Sequence, residues 1–84
     1  MPTREELSLL VRTAISEVLG TEAEEVREQT SLAVDHDVDS LELMEIGARL
    51  ERSLRLRIEV ADLTAAQTVG QAIDLLETRT AGRS

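Results

Sequence analysis

The 84-residue sequence contains no cysteine, no aromatic residue and a single proline, and all nine of its basic residues are arginine. Without cysteine there is no disulfide framework, no thiolate metal site and no cysteine nucleophile, so any chemistry must use oxygen, nitrogen or a borrowed group. Without Phe, Tyr or Trp there is no stacking platform for nucleobases. No apolar run approaches the roughly 18 residues that a membrane span needs. The start, Met1-Pro2-Thr3-Arg4-Glu5-Glu6, lacks the basic-then-apolar layout of a secretory signal, which places the expected setting in the cytoplasm.

Hydrophobic residues make up 42% of the chain and charged residues 31%, enough for a small core and a solvated surface. This reads as a single domain over residues 1–84, with a core at about 4–77 and a frayed tail at 78–84. The net charge of -8 is concentrated: residues 20–45 hold nine acids against Arg27 alone, and the remainder is neutral. Such a field repels nucleic acid and anionic lipid and steers a basic partner to one region. Read more plainly, it is a solvated acidic face.

Thr3-x-x-Glu6 forms a capping box ahead of Leu7, Leu10, Val11, Ala14, Ile15, Val18 and Leu19, spaced three and four apart. That spacing predicts an amphipathic helix ending at Gly20. From Thr21 to Asp39 the periodicity fades. This stretch reads as a long loop anchored by Val26, Leu32 and Val34, with Thr21-x-x-Glu24 able to cap one short turn.

Asp39 and Glu42 form a second capping box, opening a helix with Leu43, Ile46, Gly47, Leu50 and Leu54 on the core face. Leu41, Met44 and Ala48 fall on the opposite side, with Glu45 beside them and Glu42 on the flank. They form either a contact with a neighbouring helix or an exposed docking patch framed by acids. Residues 54–60 alternate apolar and charged as a strand would. Nothing else in the chain offers that strand a partner, so an extended connector laying Leu56, Ile58 and Val60 on the core is expected. A short helical turn over 60–66 follows. Thr68-x-x-Gln71 then caps a last helix with Val69, Ala72, Ile73 and Leu76 inward. The fold class is all-α: three main helices and one short one.

Asp35, His36, Asp37, Asp39 and Ser40 crowd into six residues. A calcium loop fails at two demanding positions, where Ser40 and Ile46 stand in place of Gly and Glu, so no metal site is assigned. A Ser/His/Asp hydrolase needs a water-excluding cleft that so short a chain hardly provides, and no catalytic residue is assigned. A serine in the first turn of a helix instead exposes its hydroxyl at the positive dipole end, where a phosphate is favourably placed. Ser40 is therefore a candidate for modification by another enzyme.

Asp39-Ser40-Leu41 opening an acidic amphipathic helix resembles the phosphopantetheine attachment motif of acyl carrier proteins. Val26, Thr30-Ser31-Leu32, Leu54, Ile58, Asp62 and Thr68-Val69 extend the resemblance over roughly residues 4 to 77. It implies a four-helix bundle without catalysis of its own. A phosphopantetheinyl transferase, using coenzyme A and magnesium, would attach 4'-phosphopantetheine to Ser40 within the Asp39 motif. The arm's thiol would carry acyl or ketide chains as thioesters. The implied partners are that transferase, a ketosynthase, an acyltransferase or acyl-ligase, and other basic-surfaced pathway enzymes, meeting a monomer through Leu41, Glu42, Met44, Glu45 and Ala48.

The family's usual glycine two residues before the Asp is replaced by Asp37. The Gly-x-x-Pro-like segment after its second helix is replaced by Arg55 and Glu59, and Arg49 and Arg52 interrupt that helix's acidity. The stretch from Asp39 to Glu51 looks closest to discrete carriers of bacterial polyketide or related secondary metabolism. Peptide-synthetase carriers commonly have His where Asp39 stands, so an aminoacyl carrier is an alternative, as is a helical interaction module with an acidic face.

Overall fold

A computed structural model describes residues 2–81. Helix α1 spans Arg4–Leu19, α2 Leu32–Asp35, α3 Ser40–Leu54, α4 Val60–Ala65 and α5 Val69–Ala81, with a 3-10 turn at Ala23–Glu25. Among the described residues there is no strand. The long helix α1 packs on both α3 and α5, and the short α4 bridges α3 and α5.

Local chemistry sets the boundaries. At the start of α1 the Glu6 N–H donates to Thr3 Oγ1 at 3.1 Å while the Thr3 N–H donates to Glu6 Oε1 at 2.9 Å. Gly20 ends that helix in the left-handed region at φ 74°. Asp39 and Glu42 repeat the box at the start of α3, at 2.9 and 3.1 Å. At α5 the Gln71 N–H donates to Thr68 Oγ1 at 3.2 Å, while the Gln71 side chain reaches one residue further back, to the Gln67 N–H at 2.6 Å.

The core is wholly aliphatic. Leu7, Val11 and Ile15 of α1 meet Ile46 and Leu50 of α3 and Ile73 and Leu76 of α5, each no more than 2% exposed. Ile58 and Leu63 are buried, but the alternating 54–60 segment is not one extended connector: Leu54 ends α3, Val60 opens α4, and of the expected inward residues only Ile58 is buried, Leu56 and Val60 being half-buried.

The segment between α1 and α3 is more ordered than a plain loop. The 3-10 turn starts after Glu22 rather than at a Thr21 cap, and Thr21 Oγ1 is buried with no hydrogen-bond partner. Arg12 of α1 donates from Nε and Nη2 to Ala23 O at 3.3 and 3.2 Å. Val26 is fully buried. The Val69 and Gly70 N–H groups at the start of α5 donate to Thr30 O and Glu28 O at 2.9 and 2.7 Å. Helix α5 thus gives two orphan donors to the loop, which is pinned there. Arg4 adds a clamp, its guanidinium bonding Glu28 and Asp74 at 2.6 Å each and also Glu77. These three carboxylates, Glu28 first, hold Arg4 firmly in its charged form.

Two further expectations need correction. The tail is not frayed from residue 78: α5 runs on to Ala81, because Thr80 is 3% exposed and its hydroxyl donates to Leu76 O at 2.8 Å. Arg79 there bridges to Asp62 of α4 at 2.8 Å and donates to Arg57 O at 3.0 Å. The rest of the expected tail, 82–84, lies outside the described residues. Second, there are two short helices rather than one, since residues 32–35 coil into α2.

Candidate functional site

Ser40 is the first residue of α3, exposed, with Asp39 immediately before it as N-cap. Asp39 uses its carboxylate on the Glu42 N–H, and Glu42 returns the bond to the Asp39 N–H, so the helix mouth is shaped without the serine. Among the described residues nothing hydrogen-bonds the Ser40 hydroxyl. It stands exposed at the positive end of a 15-residue helix.

The approach to Ser40 is built by α2. Ser31 caps α2 by accepting from the Val34 N–H at 3.3 Å, and the Ser31 N–H donates to Asp35 Oδ2 at 2.8 Å. The chain then reverses, and the Val38 N–H returns to Leu32 O at 3.0 Å. That reversal requires Asp37 at φ 51°, in the left-handed region. Asp is one of the few side chains that visits this region readily, because its short polar group bonds locally. The position two before Asp39, where the resemblance expects glycine, thus keeps the backbone that glycine would supply. Arg55 shows the same pattern: it is the C-cap of α3 at φ 54°, donating its N–H to Glu51 O at 2.7 Å.

The expected contact residues all lie on α3, the helix that Ser40 opens. Leu41 is 74% exposed and Met44 52%, so the second apolar stripe of α3 faces outward and is not covered by another helix. Ala48, further along, is half-buried. Glu42 is half-buried and occupied by its cap, and Glu45 lies 3.3 Å from Arg49, which also reaches Glu17 at 3.2 Å. The acidic frame of the patch is therefore partly neutralised at Glu45. One residue changes role. Val34, expected as a buried anchor, is 82% exposed, because the turn of α2 that packs Leu32 partly against the core rotates Val34 outward. An isolated valine in a stretch without periodicity carried no signal of that direction.

A cleft of about 360 Å³ opens between α2 and α4, bounded by Leu32, Val34, Val38, Leu43, Leu63 and Ala66. Its inner wall, Leu32, Leu43 and Leu63, also bounds an interior cavity of about 20 Å³, little more than one water. The space beside Gly47 is occupied by Leu63, whose Cδ1 lies 3.3 Å from where a Cβ at that position would stand. No described helix is long and apolar enough to cross a membrane.

The chain matches the family model described as "Phosphopantetheine attachment site" over residues 10–76. It is 34% identical over 77 residues to an "Acyl carrier protein" of Thermotoga maritima, covering 92% of this chain and 95% of that protein. It is 33% identical over 72 residues to an "Acyl carrier protein" of Saccharopolyspora erythraea, covering 86% of this chain and 76% of that one. Against a "Meromycolate extension acyl carrier protein" of Mycobacterium leprae it is 32% identical over 75 residues, covering 89% and 65%.

Proposed function

The chain belongs to the acyl carrier protein family, non-catalytic carriers whose domain holds a covalently attached 4'-phosphopantetheine, and from this we propose that Ser40 is the attachment residue. The observation that carries the reading is the exposed Ser40 hydroxyl, unbonded among the described residues, at the mouth of α3 within Asp39-Ser40-Leu41. Loading forms a bond from Ser40 Oγ to the phosphorus bearing the pantetheine arm of coenzyme A. The pyrophosphate link breaks, 3',5'-ADP leaves, and the serine proton passes to the transferase. When attached, the arm supplies a thiol, the sulfur that the sequence lacks.

The residues of this chain fit such a group. A phosphate attached to Ser40 would be held at the positive end of α3. Asp39 and Glu42 already satisfy each other's N–H groups, so the serine is free to project the arm into solvent. Leu41 and Met44 give an exposed apolar contact patch, with Glu42, Glu45 and Ala48 on the same helix. With the surrounding carboxylates it suits brief, salt-sensitive docking to basic-surfaced enzymes. Those partners are the phosphopantetheinyl transferase, a ketosynthase and an acyltransferase or acyl-ligase, visited by a monomeric carrier in the cytoplasm. The cargo is an acyl or ketide chain of bacterial polyketide or related secondary metabolism. Arg49 and Arg52 within α3 support that reading over a fatty-acid carrier with a uniformly acidic helix.

The test is intact mass after incubation with coenzyme A, magnesium and a broad-specificity phosphopantetheinyl transferase, with Ser40→Ala in parallel. The wild type gains one phosphopantetheine and the variant none. A variant that still loads, or a folded wild type that does not, overturns the assignment. The interaction-module alternative predicts the second of these outcomes.

A further inference from the structure

Sulfur is scarce in this chain. There is no cysteine, and of the two methionines Met44 lies within the described residues and Met1 outside them. Methionine commonly fills irregular gaps in a core, because its unbranched thioether is flexible. Here the buried hydrophobic residues are leucine, isoleucine, valine and alanine alone, and Met44 stands 52% exposed on α3. Its place on the helix keeps it open. The residues three and four positions away on either side are Ser40, Leu41, Gly47 and Ala48. Three of these are among the smallest side chains, and the fourth, Leu41, is itself exposed. The adjacent Glu45 is drawn to Arg49 at 3.3 Å.

We propose that Met44 is a site of reversible oxidation by hydroperoxides, and that its oxidation weakens docking at the serine end of α3. In the forward step the thioether sulfur attacks the terminal oxygen of the hydroperoxide. A sulfur–oxygen bond forms, the oxygen–oxygen bond breaks, and the proton passes from the transferred oxygen to the leaving one. The sulfur gives up two electrons and the hydroperoxide is reduced to an alcohol, or to water when it is hydrogen peroxide. A thiol-dependent sulfoxide reductase reverses the change by taking the oxygen off as water while two thiols become a disulfide. Few other targets compete, since the sequence has no cysteine, tyrosine or tryptophan.

The consequence follows from where the sulfur stands. Leu41 and Met44 are the exposed large apolar side chains of α3. Met44 lies four helical steps from Ser40, about 6 Å along the axis, so an enzyme that reaches the Ser40 hydroxyl meets Met44 within one turn. Oxidation turns a soft apolar side chain into a polar, chiral one and removes half of that apolar pair. The fold is spared, because no buried residue changes. The oxidation stands on exposure and composition; its effect on docking rests on the carrier reading.

The experiment treats the full chain, before loading and so without a competing thiol, with hydrogen peroxide beside N-acetylmethionine amide. Intact mass and peptide mapping read the oxidation, and mapping separates residue 44 from residue 1. Met44 gains one oxygen at a rate approaching that of the free amide, with the circular dichroism unchanged, and sulfoxide reductase removes it. Phosphopantetheinyl transferase kinetics then read the docking. The KM for the oxidised wild type rises roughly fivefold, as loss of about half a buried methionine predicts, kcat holds, and the reductase restores KM. Met44→Gln shows the rise without peroxide, and Met44→Leu gives one KM before and after peroxide. The proposal is overturned if Met44 stays unoxidised while the amide reacts, if oxidised and untreated wild type load with equal KM, or if peroxide raises the KM of Met44→Leu as much. Absence of loading in the untreated wild type overturns the carrier reading and the docking effect with it, while the mass still reads the oxidation, so the two failures are distinguishable.

Discussion

Gly47 and Gly70 are both helical, yet replacing each with alanine should move stability in opposite directions. Gly70 is the second residue of α5, where its N–H donates to Glu28 O at 2.7 Å. A Cβ there would stand 3.1 Å from that same oxygen and 3.3 Å from Glu28 Cβ and Oε1. The obstacle is backbone, and it cannot simply retreat. The adjacent Val69 N–H to Thr30 O bond at 2.9 Å and the Arg4 clamp on Glu28 hold the segment in place. Overpacking of this kind costs about 1–3 kcal/mol. The propensity gain of alanine is at most about 1 kcal/mol, and less in a first turn. Gly70→Ala should therefore destabilise by about 1–2 kcal/mol.

Gly47 sits mid-helix, and its Cβ would meet only Leu63 Cδ1, the tip of a side chain that can rotate away, at 3.3 Å. There the propensity term wins, and Gly47→Ala should be neutral or stabilise by up to about 1 kcal/mol. Thermal unfolding followed by far-UV circular dichroism separates the two, because 1 kcal/mol corresponds to roughly 4–8 °C in a chain of this size. If Gly70→Ala melts at or above the wild-type temperature, or below it by no more than Gly47→Ala, the pinned loop is refuted.

Arg55→Gly should stabilise by up to about 1 kcal/mol, read as a higher urea midpoint, because it relieves a left-handed backbone at φ 54°. Asp37→Gly should raise it less, since Asp tolerates that region; a larger gain at Asp37 would contradict the argument. Glu6 has its carboxyl held below the usual range by the Thr3 backbone N–H and then by the Thr3 hydroxyl. A depressed folded-state value means stability that is fully present above the ordinary carboxylate range and lost as pH falls through the folded value. Glu6→Gln should therefore cost stability at neutral pH and little at strongly acidic pH, as read by denaturant titration at both; an equal cost at both would exclude the linkage. Ending the chain after Glu77 should lower the melting temperature, because it removes buried Thr80 and the Arg79 bridge to Asp62. The loss should be about 1–3 kcal/mol, and a truncated chain with unchanged melting would restore the frayed-tail reading.

The three long helices, their caps and their buried faces were legible in the sequence. Caps and stripes are local: Thr3 with Glu6, Asp39 with Glu42, and apolar residues three and four apart state a helix without reference to anything distant. The candidate serine was legible for the same reason, since its exposure follows from standing first in a capped helix. That the segment between α3 and α4 is no sheet strand was readable by elimination, because an alternating segment with no partner strand cannot form a sheet, though its ends, Leu54 and Val60, belong to the helices.

What only the tertiary structure decided lies wherever a residue's direction depends on a contact far along the chain. Val34 turns outward because α2 coils to pack Leu32 partly against the core and is closed by the Val38 N–H reaching back to Leu32 O. Helix α5 continues to Ala81 because Thr80 finds cover in the bundle and Arg79 finds Asp62 in α4. Glu45 is partly neutralised because Arg49 lies one turn away on α3 and also meets Glu17 on α1. The loop is ordered because α5 donates its first N–H groups to Glu28 and Thr30, forty residues earlier. Local hydrogen-bond rules operate within about one helical turn and can be read from spacing. The direction of an isolated side chain, the reach of an arginine and the end of a helix instead depend on which distant surface is within range, and only packing settles that.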